Sequence, residues 1–142
     1  MNQYFLLAVR LVLGTIWIYQ GCFLKIIMRD AHEFRIVRSL GLDDAGAWFW
    51  VIVIGVAEVW LGLGIISGIA YRPVNIFQVV ILLLMNVVGI CFGHGSIEHP
   101  FGLLLSNCPH FLLAWLLVVH GPGRFAMSSS RSRLASGNGA TA

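Results

Sequence analysis

The side chains of this sequence that could do chemistry lie inside or beside its longest apolar runs. Glu58 and His110 each interrupt a run of about 20 mostly apolar residues. A carboxylate in such surroundings must be paired or protonated, and either state suits proton or redox chemistry. Histidine changes its charge near neutral pH, so His110 could relay a proton. Lys25 could pair with Glu58 or polarise a carbonyl, and these three residues are the candidate catalytic groups.

The polar residues of each apolar run fall on one face if the run is a helix, because successive residues are about 100° apart. Small residues on such a face let helices approach closely, and polar ones hydrogen-bond between helices. Each run therefore has one face that is predicted to turn inwards. The four faces are Arg10, Gly14, Trp17, Gly21 and Lys25; Gly55, Glu58 and Gly62; Asn75, Asn86 and Gly93; and Asn107, His110, Ala114 and Gly121.

Position along the runs places several of these groups at similar depth. Glu58 and His110 lie near the middle of their runs, and the sequence predicts one internal polar cluster around them that opens towards the first and third loops. Its members are Gln20, Lys25, Glu58, Asn86, Asn107 and His110. Arg10 and Lys25 lie about two helical turns from the depth of Glu58, so a long side chain would have to reach it. The same polar groups could instead serve only to hold helices together.

The histidines of the third loop suggest a metal or haem site, which their spacing does not favour. His94, Glu98 and His99 lie close together, and His110 could add a ligand. No spacing among them matches a known type of metal site. The three cysteines form no C-x-x-C pair and are odd in number. We therefore expect no metal centre and no disulfide framework.

Composition indicates which elements must position these groups. The chain has 142 residues, of which 58% are hydrophobic and 11% charged, and its mean hydropathy is +0.87. Soluble domains carry about 25% charged residues, and a soluble chain of this size could not bury so much apolar surface. The sequence therefore indicates an integral membrane protein in the lipid bilayer. Its net charge of +3 comes from segment ends and the C-terminal tail, which favours membrane topology signals and excludes nucleic acid as a partner.

Four apolar runs are long enough to cross a hydrocarbon core about 30 Å thick as helices. They lie at residues 4–27, 48–68, 74–93 and 101–120. After the first run, Asp30 and Glu33 resemble a helix cap, and Phe34, Val37 and Leu40 recur at helical spacing. The predicted fold is all-α: a four-transmembrane-helix bundle in residues 1–121, with a short interfacial helix after the first span. Residues 122–142, rich in Ser, Arg, Gly and Ala, are predicted to be a disordered tail.

Four spans place both termini on the same side of the membrane. Basic residues divide four against four between the two sides, which does not decide the orientation. Arg10 lies nearer the N-terminal side and favours cytoplasmic termini. We therefore expect a multi-pass protein of the cell (inner) membrane with its termini in the cytoplasm.

Several short motifs, in their order and spacing, resemble the DoxX-like family of small four-helix integral membrane proteins. The motifs are Trp17-Ile18-Tyr19-Gln20-Gly21 followed by Lys25 and by a charged segment ending in Leu40-Gly41-Leu42; Ala57-Glu58 with Leu61-Gly62; and His99-Pro100-Phe101-Gly102 with Asn107 and Pro109. The likeness covers residues 4–120 and implies a four-helix membrane bundle. Residues matched to the family motifs, and so implied as site positions, are Gln20, Lys25, Glu58, His99 and Asn107.

The family takes its name from a small membrane subunit associated with thiosulfate:quinone oxidoreduction, although no residue here supports thiosulfate chemistry. The resemblance favours a redox-associated subunit that binds a quinone between its helices and relies on a redox partner subunit, because the chain has no G-x-G-x-x-G motif after a strand. The candidate ligand-binding residues are Gln20, Lys25, Glu58, Asn86, His99, Asn107 and His110. The alternatives are a non-catalytic assembly or scaffold subunit and, with weaker support, a small proton-coupled transporter. No covalently bound cofactor is expected; oligomeric state and enzymatic activity stay open.

Overall fold

The structure is a computed structural model that describes residues 2–92, 100–123 and 126–127, and within them it is helical without strands. The predicted all-α class is thus confirmed. The first helix, α1 (Gln3–Ile18), continues without a break as a π-helical segment (Tyr19–Ile27). The remaining helices are α2 (Ala31–Arg38), α3 (Asp44–Ser67), α4 (Tyr71–Phe92) and α5 (Pro100–His120).

Three of these elements are long and apolar enough to cross a membrane: Gln3–Ile27, Asp44–Ser67 and Tyr71–Cys91. The apolar stretch found in α5 is shorter, Leu104–His120. Large apolar side chains such as Trp60, Leu105 and Leu112 point away from the protein interior. Apolar surface exposed on this scale fits lipid rather than water. The chain is therefore a membrane protein with three helices of spanning character, while the fourth span stays a prediction.

The short helix predicted after the first span is present as α2. The side chain of Asp30 accepts a hydrogen bond from the backbone N–H of His32, which caps the helix as its sequence pattern indicated. Gly41 follows the helix with φ 90°, a left-handed conformation that glycine adopts without strain. Stacking of Phe34 on Trp48, with ring centres 4.6 Å apart, holds α2 against α3. The α2 helix thus lies at one end of the bundle rather than in it.

Glycines bring the first helix and α3 into close contact. A Cβ atom added to Gly62 would lie 2.6 Å from the carbonyl oxygen of Gly14, and one added to Gly21 would lie 2.3 Å from that of Gly55. Neither distance leaves room for a side chain, so these positions require glycine. All four residues belong to the inward faces predicted from helical spacing. The contact at Gly21 and Gly55 fixes the π-helical segment beside the middle of α3.

The second half of the first helix differs from the regular α-helix that its apolar run suggested. In a π-helix each N–H bonds to the carbonyl five residues earlier, so a turn contains more than four residues. Side chains four and five residues apart then share one face. Gly21 and Lys25, four residues apart, are both buried although this segment has left α-helical geometry.

The predicted tail, residues 122–142, lies mostly outside the described residues. Pro122 and Ala126, near its start, contact the bundle: the carbonyl of Pro122 accepts a hydrogen bond from Arg10, and Ala126 is buried.

Candidate functional site

Lys25 and Glu58 meet inside the protein. The Lys25 ammonium Nζ lies 3.0 Å from Glu58 Oε1, and the two residues are only 1% and 3% exposed. Glu58 lies midway along α3, whereas Lys25 lies near the end of the first helix, so the long lysine side chain bridges the difference in depth. The structure therefore selects Lys25 rather than Arg10 as the partner of Glu58.

A second carboxylate reaches the same ammonium group. Glu33 of α2 places Oε1 3.3 Å from Lys25 Nζ, and its side chain is 25% exposed. Lys25 thus joins a buried carboxylate of α3 to a partly exposed carboxylate of α2. The sequence interpretation saw Glu33 only as part of a helix cap and missed this contact. The available signal was the charge of Lys25 itself, because a buried cation requires nearby counter-charges.

A cavity of about 440 Å³ lies beside this cluster, between the helices and under α2. Its size falls in the range of about 300–1,000 Å³ that small-molecule sites occupy. Most of the wall is apolar, with side chains such as Ile54, Ile81 and Met85. The helix α2 contributes His32, Glu33, Ile36, Val37 and Leu40, so it covers one end.

Five of the predicted ligand-binding residues line this one cavity. They are Gln20, Glu58, Asn86, Asn107 and His110. Lys25, a sixth, is bonded to the cavity-lining Glu58. His99, the seventh, lies outside the described residues, as do His94 and Glu98. The structure therefore brings together the internal cluster that spacing and depth indicated, while the role of its members in binding stays a prediction.

Two side chains at the cavity carry buried polar atoms without a hydrogen-bond partner among the described residues. They are Oε2 of Glu58 and the ring of His110, which has the Ser106 backbone near one nitrogen and leaves the other nitrogen without a partner. Buried polar atoms are almost always hydrogen-bonded, because leaving one unpaired costs about 1–3 kcal/mol. A group within the cavity could supply the missing partners. Glu58 could then accept or donate a hydrogen bond at Oε2, and the unpaired nitrogen of His110 could do either according to the tautomer of the ring.

The two asparagines of the cluster bond to each other. Asn107 Nδ2 donates to Asn86 Oδ1 at 3.0 Å, and Asn86 Nδ2 donates to the carbonyl of Leu82 at 2.7 Å. This arrangement joins α4 to α5, as expected of polar residues that hold helices together. Both side chains also line the cavity, as does His110.

Other buried polar residues lie away from the cavity and have structural partners. Arg10 donates to the carbonyls of Ile65 and Pro122 at 3.1 and 2.9 Å, and also to that of Ile66. Arg10 thereby caps the C-terminal end of α3, where the last carbonyl groups have no partner within the helix. Arg10 was expected on the inward face, and it is there, but it does not reach the site.

A second network involves Gln78, which sequence analysis did not single out. Its Oε1 accepts a hydrogen bond of 3.0 Å from the indole Nε1 of Trp17, and its Nε2 donates to Asn75 Oδ1 at 2.6 Å. The contact ties α4 to α1. Gln78 lies three residues after Asn75 on the same inward face, which is the signal that could have identified it.

Clusters of three or more His, Cys, Asp or Glu side chains able to hold a metal do not occur among the described residues. The histidines and the glutamate of the third loop are not in that part of the chain.

Comparison with known proteins adds one finding. The sequence profile of a family described as the DoxX-like family matches residues 14–115, more than half of the chain. This range includes both members of the Lys25–Glu58 contact and every described residue that lines the cavity. No match was found among curated proteins or among solved structures.

Proposed function

The chain belongs to the DoxX-like family, and we propose that it is a redox-associated membrane subunit that binds a quinone in the cavity beside Glu58. The observation that carries this proposal is the pair of unpaired polar atoms at the cavity, Oε2 of Glu58 and one ring nitrogen of His110. They lie in a wall that is otherwise mostly apolar. A lipid-soluble molecule with carbonyl oxygens matches both properties.

The residues present fit a quinone. Apolar side chains of four helices can contact a ring and the start of an isoprenoid tail, and the unpaired ring nitrogen of His110 can hydrogen-bond to one oxygen of the ligand. When bound, a quinone supplies redox chemistry in which protons accompany electrons. Glu58 would hold or release a proton at Oε2, and Lys25 would fix the other oxygen of that carboxyl group. The remaining redox cofactor would belong to a partner subunit.

The proposal includes four spans, with α5 as the fourth, in the cell (inner) membrane and with cytoplasmic termini. In support, α5 is 21 residues long and packs beside α4, joined by the hydrogen bond between Asn107 and Asn86. Basic residues divide four against four between the two sides, and Arg10, buried nearer the side of the termini, favours cytoplasmic termini. Labelling of single cysteines introduced in α2 and in the tail of intact cells tests this orientation.

The deciding experiment identifies the small molecules that are extracted from the protein after its purification in mild detergent. Organic extracts are analysed by mass spectrometry, and a short-chain benzoquinone is then titrated into the extracted protein. We expect a stoichiometric quinone in the native protein and a loss of at least tenfold in affinity, about 1.4 kcal/mol, in Glu58→Gln and His110→Leu. Asn75→Ala is the matched control, because Asn75 is buried and polar but does not line the cavity.

A protein that contains no quinone and binds none, while the variants fold normally, would overturn the proposal. The scaffold function would then be favoured, with the contacts of Asn86, Asn107 and Gln78 serving helix packing alone.

A further inference from the structure

The charges of the three ionisable side chains beside the cavity, Lys25, Glu33 and Glu58, do not sum to zero if all three are ionised. Lys25 Nζ lies 3.0 Å from Glu58 Oε1 and 3.3 Å from Glu33 Oε1, so one cation faces two carboxyl groups. If all three were ionised, the cluster would hold one excess negative charge next to a mostly apolar cavity. An uncompensated buried charge is unfavourable, and an added proton removes it.

We propose that Glu33, Lys25 and Glu58 form a proton route from the membrane surface at α2 to the cavity, with Glu33 as its entrance. Glu33 is one-quarter exposed and can exchange protons with water. Glu58 is buried, so the excess proton rests there, and its Oε2 is the end of the route at the cavity. The route itself does not depend on the ligand; its use to protonate a quinone rests on the function proposed above.

The transfer leaves each group as it began. Glu58 gives its proton to a hydrogen-bond acceptor in the cavity, and the Lys25 ammonium passes one proton to the Glu58 carboxylate. The Glu33 carboxylate takes a proton from water at the surface and passes it to the neutral Lys25 amine. One proton has moved from the surface to the cavity, and no electron has moved.

The other titratable groups at the cavity come from two elements. His32 of α2 lies next to Glu33 in sequence, and His110 of α5 lines the same cavity. The polar lining from α4 is the amide of Asn86, which does not titrate. Lys25, within 4 Å of both Glu33 and Glu58, is therefore the described link between the surface and the buried carboxyl group.

A purely structural role for Glu33 predicts an opposite effect of its removal on the rate of proton exchange at Glu58. Other contacts also hold α2 in place, namely the stacking of Phe34 on Trp48 and the 2.8 Å contact of Arg38 with Asp44. If Glu33 only fastened α2 over the cavity, its removal would admit water and speed proton exchange at Glu58. If Glu33 delivers protons, its removal slows that exchange. The sign of the effect separates the two roles.

The test follows hydrogen–deuterium exchange at the Glu58 carboxyl group by infrared spectroscopy. Protein without added quinone, in phosphatidylcholine nanodiscs, is transferred rapidly to D2O, and the shift of the carboxylic acid C=O band is timed. Glu58→Gln identifies the band by removing it. The variants compared are Glu33→Gln and the control Asp44→Asn, which loosens α2 at an exposed contact but leaves Lys25 with both carboxyl groups.

We expect exchange in Glu33→Gln to be slower by about a hundredfold, the low end of the effect of a positioned proton donor. Asp44→Asn should exchange at the native rate or faster. Exchange in Glu33→Gln at or above the native rate would overturn the route. Absence of any carboxylic acid band that Glu58→Gln removes would overturn it too, since no proton would then rest on Glu58. Because no ligand is added, these results are independent of whether the protein binds a quinone.

Discussion

Replacement of Lys25 by methionine is the perturbation that most directly tests the charge cluster. Methionine has a side chain of similar length that remains apolar, so it keeps the packing and removes the ammonium group. Two carboxyl groups lose their shared donor in one step, because Glu58 Oε1 and Glu33 Oε1 lie 3.0 and 3.3 Å from Lys25 Nζ. Glu58 then has no described hydrogen-bond partner at either oxygen.

The expected loss of unfolding free energy is larger for Lys25→Met than for Glu58→Gln. Loss of a charged hydrogen-bond donor costs each carboxyl group about 1.5–3 kcal/mol, and the share of Glu33 is at the low end because its side chain is 25% exposed and water screens it. Glu58→Gln should cost about 1 kcal/mol or less, since its amide oxygen can still accept a hydrogen bond from Lys25 and Glu33 stays in place. The double variant Lys25→Met/Glu58→Leu should recover most of the loss, because apolar side chains can replace a buried ionic contact.

Unfolding in mixed dodecyl sulfate and mild detergent micelles, followed by tryptophan fluorescence, measures these free energies. Arg38→Gln serves as the control, because Arg38 contacts Asp44 at an exposed position and its loss should cost about 1 kcal/mol or less. Equal stability of Lys25→Met and Glu58→Gln would contradict the shared role of Lys25. A double variant that is less stable than Lys25→Met alone would contradict it as well.

Three further outcomes are expected from thermal unfolding in detergent. Gly62→Val, which forces α1 away from α3, should destabilise by about 1–3 kcal/mol, whereas the control Gly64→Ala should be neutral because its Cβ would have 3.6 Å of clearance; equal effects would contradict the close packing. Arg10→Met should cost about 1.5–3 kcal/mol by leaving three backbone carbonyls without their charged donor, and native stability would show that other groups bond them. Trp17→Phe should cost about 1 kcal/mol, since Gln78 Oε1 loses its indole partner, and simultaneous Gln78→Leu should remove that penalty; additive losses would argue against the contact.

Helical spacing was sufficient to predict which residues face inwards. Arg10, Trp17, Lys25, Glu58 and Asn86 are all buried on the faces assigned to them. The reason is that each apolar run must turn its polar and small residues away from lipid, and the helical period alone determines which residues share that direction. The family was also identifiable from short motifs, and the profile match confirms it.

Spacing was insufficient to predict which polar residues touch. Lys25 and Arg10 lie at similar distances from the depth of Glu58, yet only Lys25 reaches it. The partners of Lys25 and Arg10 depend on how the first helix is shifted along α3. The close backbone contact between Gly21 and Gly55 fixes that shift. The π-helical segment contains Gly21, and no feature of the composition predicts its geometry.

Composition and helical period were enough to establish that this protein lies in a membrane, that it is helical, and which face of each helix is polar. These properties depend on composition and on the period of one helix, both of which are local. Packing of the helices against one another brings Glu33 of α2 and Glu58 to the same lysine, Lys25, and leaves a cavity beside them. Contacts between helices depend on how far each is shifted along its neighbour and how closely backbones approach, and these are properties of the packed assembly rather than of any one segment.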